Sequence, residues 1–302
     1  MDHLKGRVAV VTGASAGIGA ATAIKLVKAG LTVVGIARRL QRLQDLKKMM
    51  EEKNFSGRFF TVACDLTNET DILNAFKWID DNIGGIHFMI NNAGIIRISK
   101  ILDGLAEHWQ ELIDCNVMAP TICSREAYKL MKKHNVSHGH IIQINSITGH
   151  SYSINPGNKM YNASKQALRV LTEGLRHELA VAGDGHIKAS VSLFTHVQWY
   201  TFIYYLDELV ELTQAVIAIM EDMKTKLIRY SRYYSSISPG FVDTEIFDAA
   251  KMTHNKMKAS DILSAEEMAD MICFVMSTGP NILIAEMIVL SQGRCIQSYP
   301  RA

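Results

Sequence analysis

A phenol and an ammonium four residues apart set the chemical question. In Tyr161-Asn162-Ala163-Ser164-Lys165 they fall one helical turn from each other, and residues four apart on an α-helix share a face. A phenol ordinarily gives up its proton near pH ~10, too high for a general base at neutral pH. A fixed positive charge beside it favours the phenolate and lowers that value. The pair becomes a proton-transfer device if the chain sets it in a pocket with a third polar group. On a solvated face the same spacing arises by chance.

The elements around the pair supply such a pocket. His140-Ile141-Ile142-Gln143-Ile144-Asn145 reads as a buried strand ending in Ser146, which puts a hydroxyl at a sheet's C-terminal edge. Residues 147–160 then lead into a helix expected over 161–182. His150 either touches a substrate or lies on the loop surface. A long helix is expected over 107–133, with Asn116 in its interior. Asn is a poor helix-interior residue, so it has a reason to be there: a water held beside Lys165, a bent backbone carbonyl, or a satisfied core amide.

The N-terminal third reads as a phosphate cradle. Val8-Ala9-Val10-Val11 is a short apolar strand, followed by Thr12-Gly13-Ala14-Ser15-Ala16-Gly17-Ile18-Gly19 and a helical pattern over 20–29. Strand, glycine-rich turn and helix form a dinucleotide-binding context, with the anion favoured at the helix N-terminus; an ordinary βα turn is the plainer reading. The second strand, Thr32-Val33-Val34-Gly35-Ile36-Ala37, runs into Arg38-Arg39. In this context an acid near the strand end selects NAD through the ribose hydroxyls. Here Ala37 stands in its place and two guanidiniums follow, which suits the 2′-phosphate of NADP unless they merely begin a solvated helix.

Asp65-Leu66 closes a third strand, Phe59 to Cys64; Asp65 either accepts from an adenine amine or caps the helix expected over 68–82. Asn91-Asn92-Ala93-Gly94 closes a fourth, and Gly94 allows close backbone approach at the sheet edge where ligands sit in open α/β sheets. The Asn side chains can equally serve the turn alone.

The composition fits these elements. The chain has 302 residues, 48% of them hydrophobic, with net charge +2. That is enough apolar material for a full core, and the balanced charge argues against nucleic acid as the main partner. Five cysteines without CxxC or Cys/His metal spacing read as reduced thiols in a cytoplasmic protein. No secretory signal is expected, and no apolar run approaches the ~20 residues that span a bilayer. Neither the cysteines nor the eleven histidines suggest a metal site.

Taken together, Thr12 to Gly19, Asn91 to Gly94, Ser146 and Tyr161-x-x-x-Lys165 resemble the short-chain dehydrogenase/reductase family. Ser238-Pro239-Gly240-Phe241-Val242-Asp243-Thr244 extends the likeness. Ala37-Arg38-Arg39, Asn145-Ser146-Ile147-Thr148-Gly149-His150 and Leu171-Thr172-Glu173-Gly174-Leu175-Arg176 resemble a subgroup within it, the insect NADP-dependent farnesol dehydrogenases and vertebrate dehydrogenase/reductase family member 11.

The resemblance implies an α/β fold, a doubly wound Rossmann domain over residues 1–302 with a mostly parallel sheet. It implies Tyr161 as general acid/base, Ser146 as the donor that holds the substrate oxygen, Lys165 on the nicotinamide ribose, and Asn116 positioning a relay water. Cofactor contacts would come from Gly13, Ser15, Gly17, Ile18, Gly19, Arg38, Arg39, Asp65, Leu66, Asn92, Ala93, Gly94, Tyr161, Lys165, Pro239, Gly240, Val242 and Thr244. The expected enzyme uses NADP(H) on a small apolar alcohol or carbonyl, such as an isoprenoid alcohol or a steroid. It would work as a homodimer or homotetramer, with the 107–133 and 161–182 helices between subunits. An NAD-using sugar or polyol dehydrogenase is disfavoured by Arg38 and Arg39.

One segment departs from the family pattern. Ile187-Lys188-Ala189-Ser190 begins a strand, yet Ser236-Ile237-Ser238-Pro239-Gly240, which should complete it, comes about 45 residues later. Residues 191–235 contain no Gly and no Pro and nine aromatics, and residues 206–227 carry apolar side chains at helical spacing. The segment reads as a lid or oligomer contact, as a membrane-surface anchor, or as a retained intron translated in frame. Acidic residues such as Glu208 and Glu211 weigh against the anchor. Interruption of a strand interior favours the intron reading, and with it an NADP-binding isoform impaired in catalysis.

Overall fold

The computed structural model describes residues 2–149, 156–194, 263–279, 281–284 and 286–289. The sites read at Pro239, Gly240, Val242, Thr244 and His150, and most of 191–235, lie outside the described residues.

Short β-branched runs form the sheet. β1 (Val8–Thr12), β2 (Thr32–Ala37), β3 (Arg58–Ala63), β4 (Phe88–Asn91), β5 (Gly139–Ile144), β6 (Ile187–Phe194) and β7 (Glu286–Val289) lie side by side in the order β3-β2-β1-β4-β5-β6-β7. Every pairing is parallel. The order reverses between β1 and β4, which leaves a crevice at their C-terminal ends.

Strand side chains alternate in direction, so the sheet needs apolar cover on both faces. On one face Ala9, Val11, Val33, Ile90 and Ile142 pack under α1 (Gly17–Lys28), α2 (Leu40–Glu52) and α7 (Ala265–Met276). On the other, Val10, Val34, Met89 and Ile141 meet α3 (Glu69–Asn82) and α5 (Ala119–Lys133), with Leu179 of α6 (Lys159–Val181). The result is a three-layer α/β/α arrangement, the doubly wound fold expected from the sequence. Each fully buried aliphatic side chain contributes about 1.5–3 kcal/mol, which makes the strand ends a firm platform for the groups they carry.

Three details differ from the sequence reading. The helix expected over 107–133 is broken: α4 (Ala106–Ile113) passes through a π-helical turn, Asp114–Met118, into α5. Pro120 lies in the first turn of α5. In an unbroken α-helix its nitrogen would donate to the carbonyl of Asn116, and proline has no proton there to give. The wider turn accommodates that loss, and the amide of Ala119 donates instead to the carbonyl of Asp114.

Asp65 does not cap α3. Asn68 does, accepting from the amides of Thr70 and Asp71, because it stands one residue before the helix while Asp65 is turned onto Thr67. Finally, Val191 to Phe194 continue β6 beyond Ser190, in register with β7 from Val191↔Glu286 to Phe194↔Val289. Val-Ser-Leu-Phe is itself a strand-forming run, and the described strand runs through all four residues.

Candidate active site

At the β1 end the site is made of backbone. Gly13 and Gly17 hold positive φ, +67° and +53°, a region where only glycine sits without strain. A Cβ on Gly19 would come within 2.4 Å of both Asn92 Nδ2 and the Gly13 carbonyl. The turn is fastened to β4 through Thr12, whose hydroxyl accepts from the amides of Asn92 (3.0 Å) and Ala93 (3.1 Å). Asn92 Nδ2 donates in return to the Thr12 carbonyl at 2.9 Å. Asn92 and Ala93 thus hold the turn together from the neighbouring strand.

The N-terminus of α1 is unlike those of α3 and α7. Helix α7 opens on a capping box between Ser264 and Glu267, and α3 on Asn68 with Glu69 and Asp71 in its first turn. Helix α1 opens on Ala16, with no side-chain cap and no acid in its first turn. Its orphan amides and positive dipole end remain open to an anion. Arg39 donates to Ser15 Oγ from Nε (3.3 Å) and from Nη2 (3.1 Å), so one guanidinium lies against the turn, and Arg38 is exposed beside it. Burial alone would raise the carboxyl of Asp65, but the amide and hydroxyl of Thr67, with the charge of Arg38, hold it below its ordinary value. An uncapped helix start, a glycine cradle and two cations fit a dinucleotide with an added phosphate, and the residues present accommodate one.

At the β5 end the site is made of buried side chains. Lys165 Nζ donates to the carbonyl of Ile144 at 3.1 Å, and Asn145 Nδ2 ties the Lys165 carbonyl to the strand end at 3.0 Å. Lys165 Nζ lies 6.0 Å from the centre of the Tyr161 ring. The Ser146 hydroxyl bonds to Tyr161. Ser164 Oγ donates to the Tyr161 carbonyl at 2.7 Å.

The fully buried amide of Asn116 is occupied: Oδ1 accepts from the Ile95 amide (2.9 Å), while Nδ2 donates to the Ile95 carbonyl (2.9 Å) and to Ser164 Oγ (3.2 Å). The satisfied-amide reading describes its side chain. A Cβ on Gly94 would stand 3.3 Å from Asn116 Oδ1 and 3.6 Å from Lys165 Nζ, so β4, the π-turn and α6 meet there.

The electrostatics differ from expectation at one point. Burial pushes the Tyr161 phenol up to about 12, opposed by the bond to Ser146. Burial pulls the Lys165 ammonium down to about 8, with Cys115 pulling the other way. The Ser146 hydroxyl opposes the rise at Tyr161, and both charged forms lose water in the same enclosure.

Sequence reasoning placed Tyr161, Lys165, Ser146, Asn116, Gly94 and the glycine turn, and the fold brings them to one sheet edge. It passed over Thr12, Asn145, Ser164 and Thr148 as working groups. Their signal was present, since each is a polar residue beside a named one, but its meaning depends on which strand or helix lies alongside.

The comparisons with known proteins agree with this geometry. Farnesol dehydrogenase of Aedes aegypti is 34% identical over 97% of this chain and 99% of its own length. Dehydrogenase/reductase SDR family member 11 of Gallus gallus is 35% identical over 95% of this chain and 96% of its own. Among solved structures, a short-chain type dehydrogenase/reductase from Mycobacterium marinum superimposes with a TM-score of 0.73 at 22% identity, covering 97% of each chain. A short-chain dehydrogenase from Sphingobium yanoikuyae in complex with NADPH gives 0.67 at 20% identity, covering 94% of this chain and 86% of its own. The sequence model of the family described as short chain dehydrogenase matches residues 7–192, ending inside β6. The chain belongs to the short-chain dehydrogenase family.

Proposed function

We propose that this chain is an NADP(H)-dependent oxidoreductase that interconverts an apolar alcohol and its aldehyde or ketone. The observation that carries the reading is the meeting of Ser146, Tyr161 and Lys165 at the sheet edge, across the crevice from an uncapped helix start flanked by Arg38 and Arg39. Solved relatives in complex with NADPH or NADP support the choice of cofactor. Likeness to farnesol dehydrogenase of Aedes aegypti supports an isoprenoid alcohol.

The bound nicotinamide cofactor supplies or accepts the hydride. The chain handles the proton. In reduction Tyr161 Oη gives its proton to the carbonyl oxygen, while Ser146 Oγ donates a hydrogen bond to the same oxygen and offsets its developing charge. In oxidation Tyr161 takes the proton back from the alcohol. Lys165, held on the Ile144 carbonyl, keeps a positive charge near the phenolate and holds the ribose. Asn116 acts through Ile95 and Ser164, holding the Gly94 turn and the start of α6 in place. Exposed Val170 and Leu171 on α6 fit a homodimer or homotetramer. Among the described residues no helix is long and apolar enough to cross a membrane, and the reading places the enzyme in the cytoplasm.

The test is consumption of NADPH, and separately NADH, by the full chain with a panel of apolar aldehydes and ketones that includes farnesal. Turnover that prefers NADPH supports the reading. NADPH binding without turnover of any substrate would remove the substrate assignment.

A second reading has its own observation. Phe194, not Pro239, fills the last register position of β6, so the Pro239-Gly240 loop does not follow this strand directly as the family pattern expects. On that reading the chain binds NADP but is impaired in hydride transfer by residues 191–235. A version lacking 191–235, run beside the full chain, separates the two: activity in the shortened form alone would favour impairment, and equal activity would remove it.

A further inference from the structure

We propose that Thr148 is a positioning residue that fixes the direction of the Ser146 hydroxyl, so that the one serine proton is presented to Tyr161 in the free enzyme and to the substrate oxygen once substrate is bound. The inference rests on the alcohol–carbonyl reading above and adds to it a residue outside the Ser-Tyr-Lys-Asn set.

A serine hydroxyl has one proton to donate and two lone pairs that accept. Both acceptor positions of Ser146 Oγ receive protons from the same residue: the Thr148 amide at 3.3 Å and the Thr148 hydroxyl at 3.1 Å. What remains is the serine's own proton, and the side chain its hydroxyl bonds with is Tyr161.

The polarity matters because the opposite one is chemically available. A serine with an open lone pair can accept from the phenol, and the Tyr161 proton is then committed to Ser146 instead of the carbonyl oxygen. Thr148 closes that alternative.

The turn that carries Thr148 is held from two elements. The Gly149 amide donates to the Ser146 carbonyl at 2.8 Å, closing the turn, and Asn145 Oδ1 accepts from the Ser146 amide at 2.9 Å at the end of β5. Gln166 Nε2, one residue beyond Lys165 on α6, reaches the Thr148 carbonyl at 3.5 Å. The turn is thus fixed between the strand that carries the serine and the helix that carries the tyrosine and lysine.

The test uses the full chain labelled with 13C at tyrosine Cζ, whose chemical shift responds to whether the phenol oxygen donates or accepts. The Tyr161 signal is assigned by its loss in Tyr161→Phe. Thr148→Val keeps the side chain's shape and removes the hydroxyl; Thr148→Ser restores it. At neutral pH the Tyr161 signal is expected to move in Thr148→Val and to return to the wild-type position in Thr148→Ser. Turnover should follow: kcat lower by about tenfold in Thr148→Val with the cofactor KM little changed, and near wild type in Thr148→Ser. A Tyr161 signal that stays in place in Thr148→Val, or moves as far in Thr148→Ser, overturns the proposal. Absence of turnover in all forms would instead remove the alcohol–carbonyl reading, while the tyrosine signal still decides the role of Thr148.

Discussion

The two ends of the crevice are built from opposite materials. The β1 end is an absence of side chains: Gly13, Gly17 and Gly19 leave backbone amides and an uncapped helix start in the open. The β5 end is a concentration of them: Ser146, Ser164, Lys165 and Asn116 are buried and joined by hydrogen bonds. An anion cradle must let a ligand touch backbone, whereas proton transfer needs oriented polar atoms away from water. The first end should therefore fail when atoms are added, and the second when atoms are removed.

The sharpest way to break that contrast is to remove a single oxygen. Tyr161→Phe should lower turnover by about 10³-fold or more while leaving NADPH binding near wild type, with kcat and binding measured on the same preparation. Retained turnover would take the proton-transfer role away from Tyr161.

Adding atoms at the other end tests the converse. Gly19→Val places a Cβ where Asn92 Nδ2 and the Gly13 carbonyl already stand at 2.4 Å. Overpacking of that kind costs about 1–3 kcal/mol, and here it should appear as NADPH affinity lowered by about 10- to 100-fold, read by fluorescence titration. Unchanged affinity would mean that the cradle is not where the phosphates lie.

Arg38→Ala examines the charged rim of the same end. A charge-assisted bond to a phosphate contributes about 1.5–3 kcal/mol when buried and less when exposed, so NADPH should weaken about tenfold and NADH hardly at all. Equal weakening of both would remove the 2′-phosphate assignment.

The smallest effect concerns stability. The Lys165 ammonium falls from 10.5 to about 8 because burial disfavours its charge. A lysine with a lowered folded value destabilises the fold fully below about pH 8, and the penalty fades as pH rises toward 10.5. Lys165→Met should therefore make the cofactor-free protein more stable at pH 7 by roughly 1–2 kcal/mol, after allowing for the lost bond to Ile144. Thermal unfolding at pH 7 and again near pH ~10 should show the gain shrinking. A gain that is the same at both would mean that the ammonium is not the source.

Legibility followed the same division between the two ends. Glycine spacing after an apolar run, and Arg38-Arg39 after β2, were readable because they act through local backbone and local charge. Tyr161 and Lys165 were readable because a helix fixes their separation. Asn116 was visible as an oddity in a helix, yet its meaning was not, since it depends on Ile95 and Ser164, which lie 21 and 48 residues away. The break in the 107–133 helix was written in Pro120, but the π-turn that answers it is a choice made by packing. Asp65 looked able to cap α3, and only the chain's path gave that place to Asn68. Val191 to Phe194 suit a strand by themselves, but only the fold shows that β7 is their partner.

The sequence by itself determined the order of strands and helices, the glycine turn, the two arginines after β2 and the Tyr161–Lys165 pair proposed for proton transfer. These follow from periodicity, from glycine's freedom of φ, and from chemistry carried within a few residues. Only the tertiary structure decided that Thr12 pins β1 to β4, that Thr148 stands behind the Ser146 hydroxyl, and that burial pushes the Tyr161 phenol up. Those outcomes depend on hydrogen-bond direction and on loss of water. Both arise between elements distant in the chain, and neither leaves a local pattern to read.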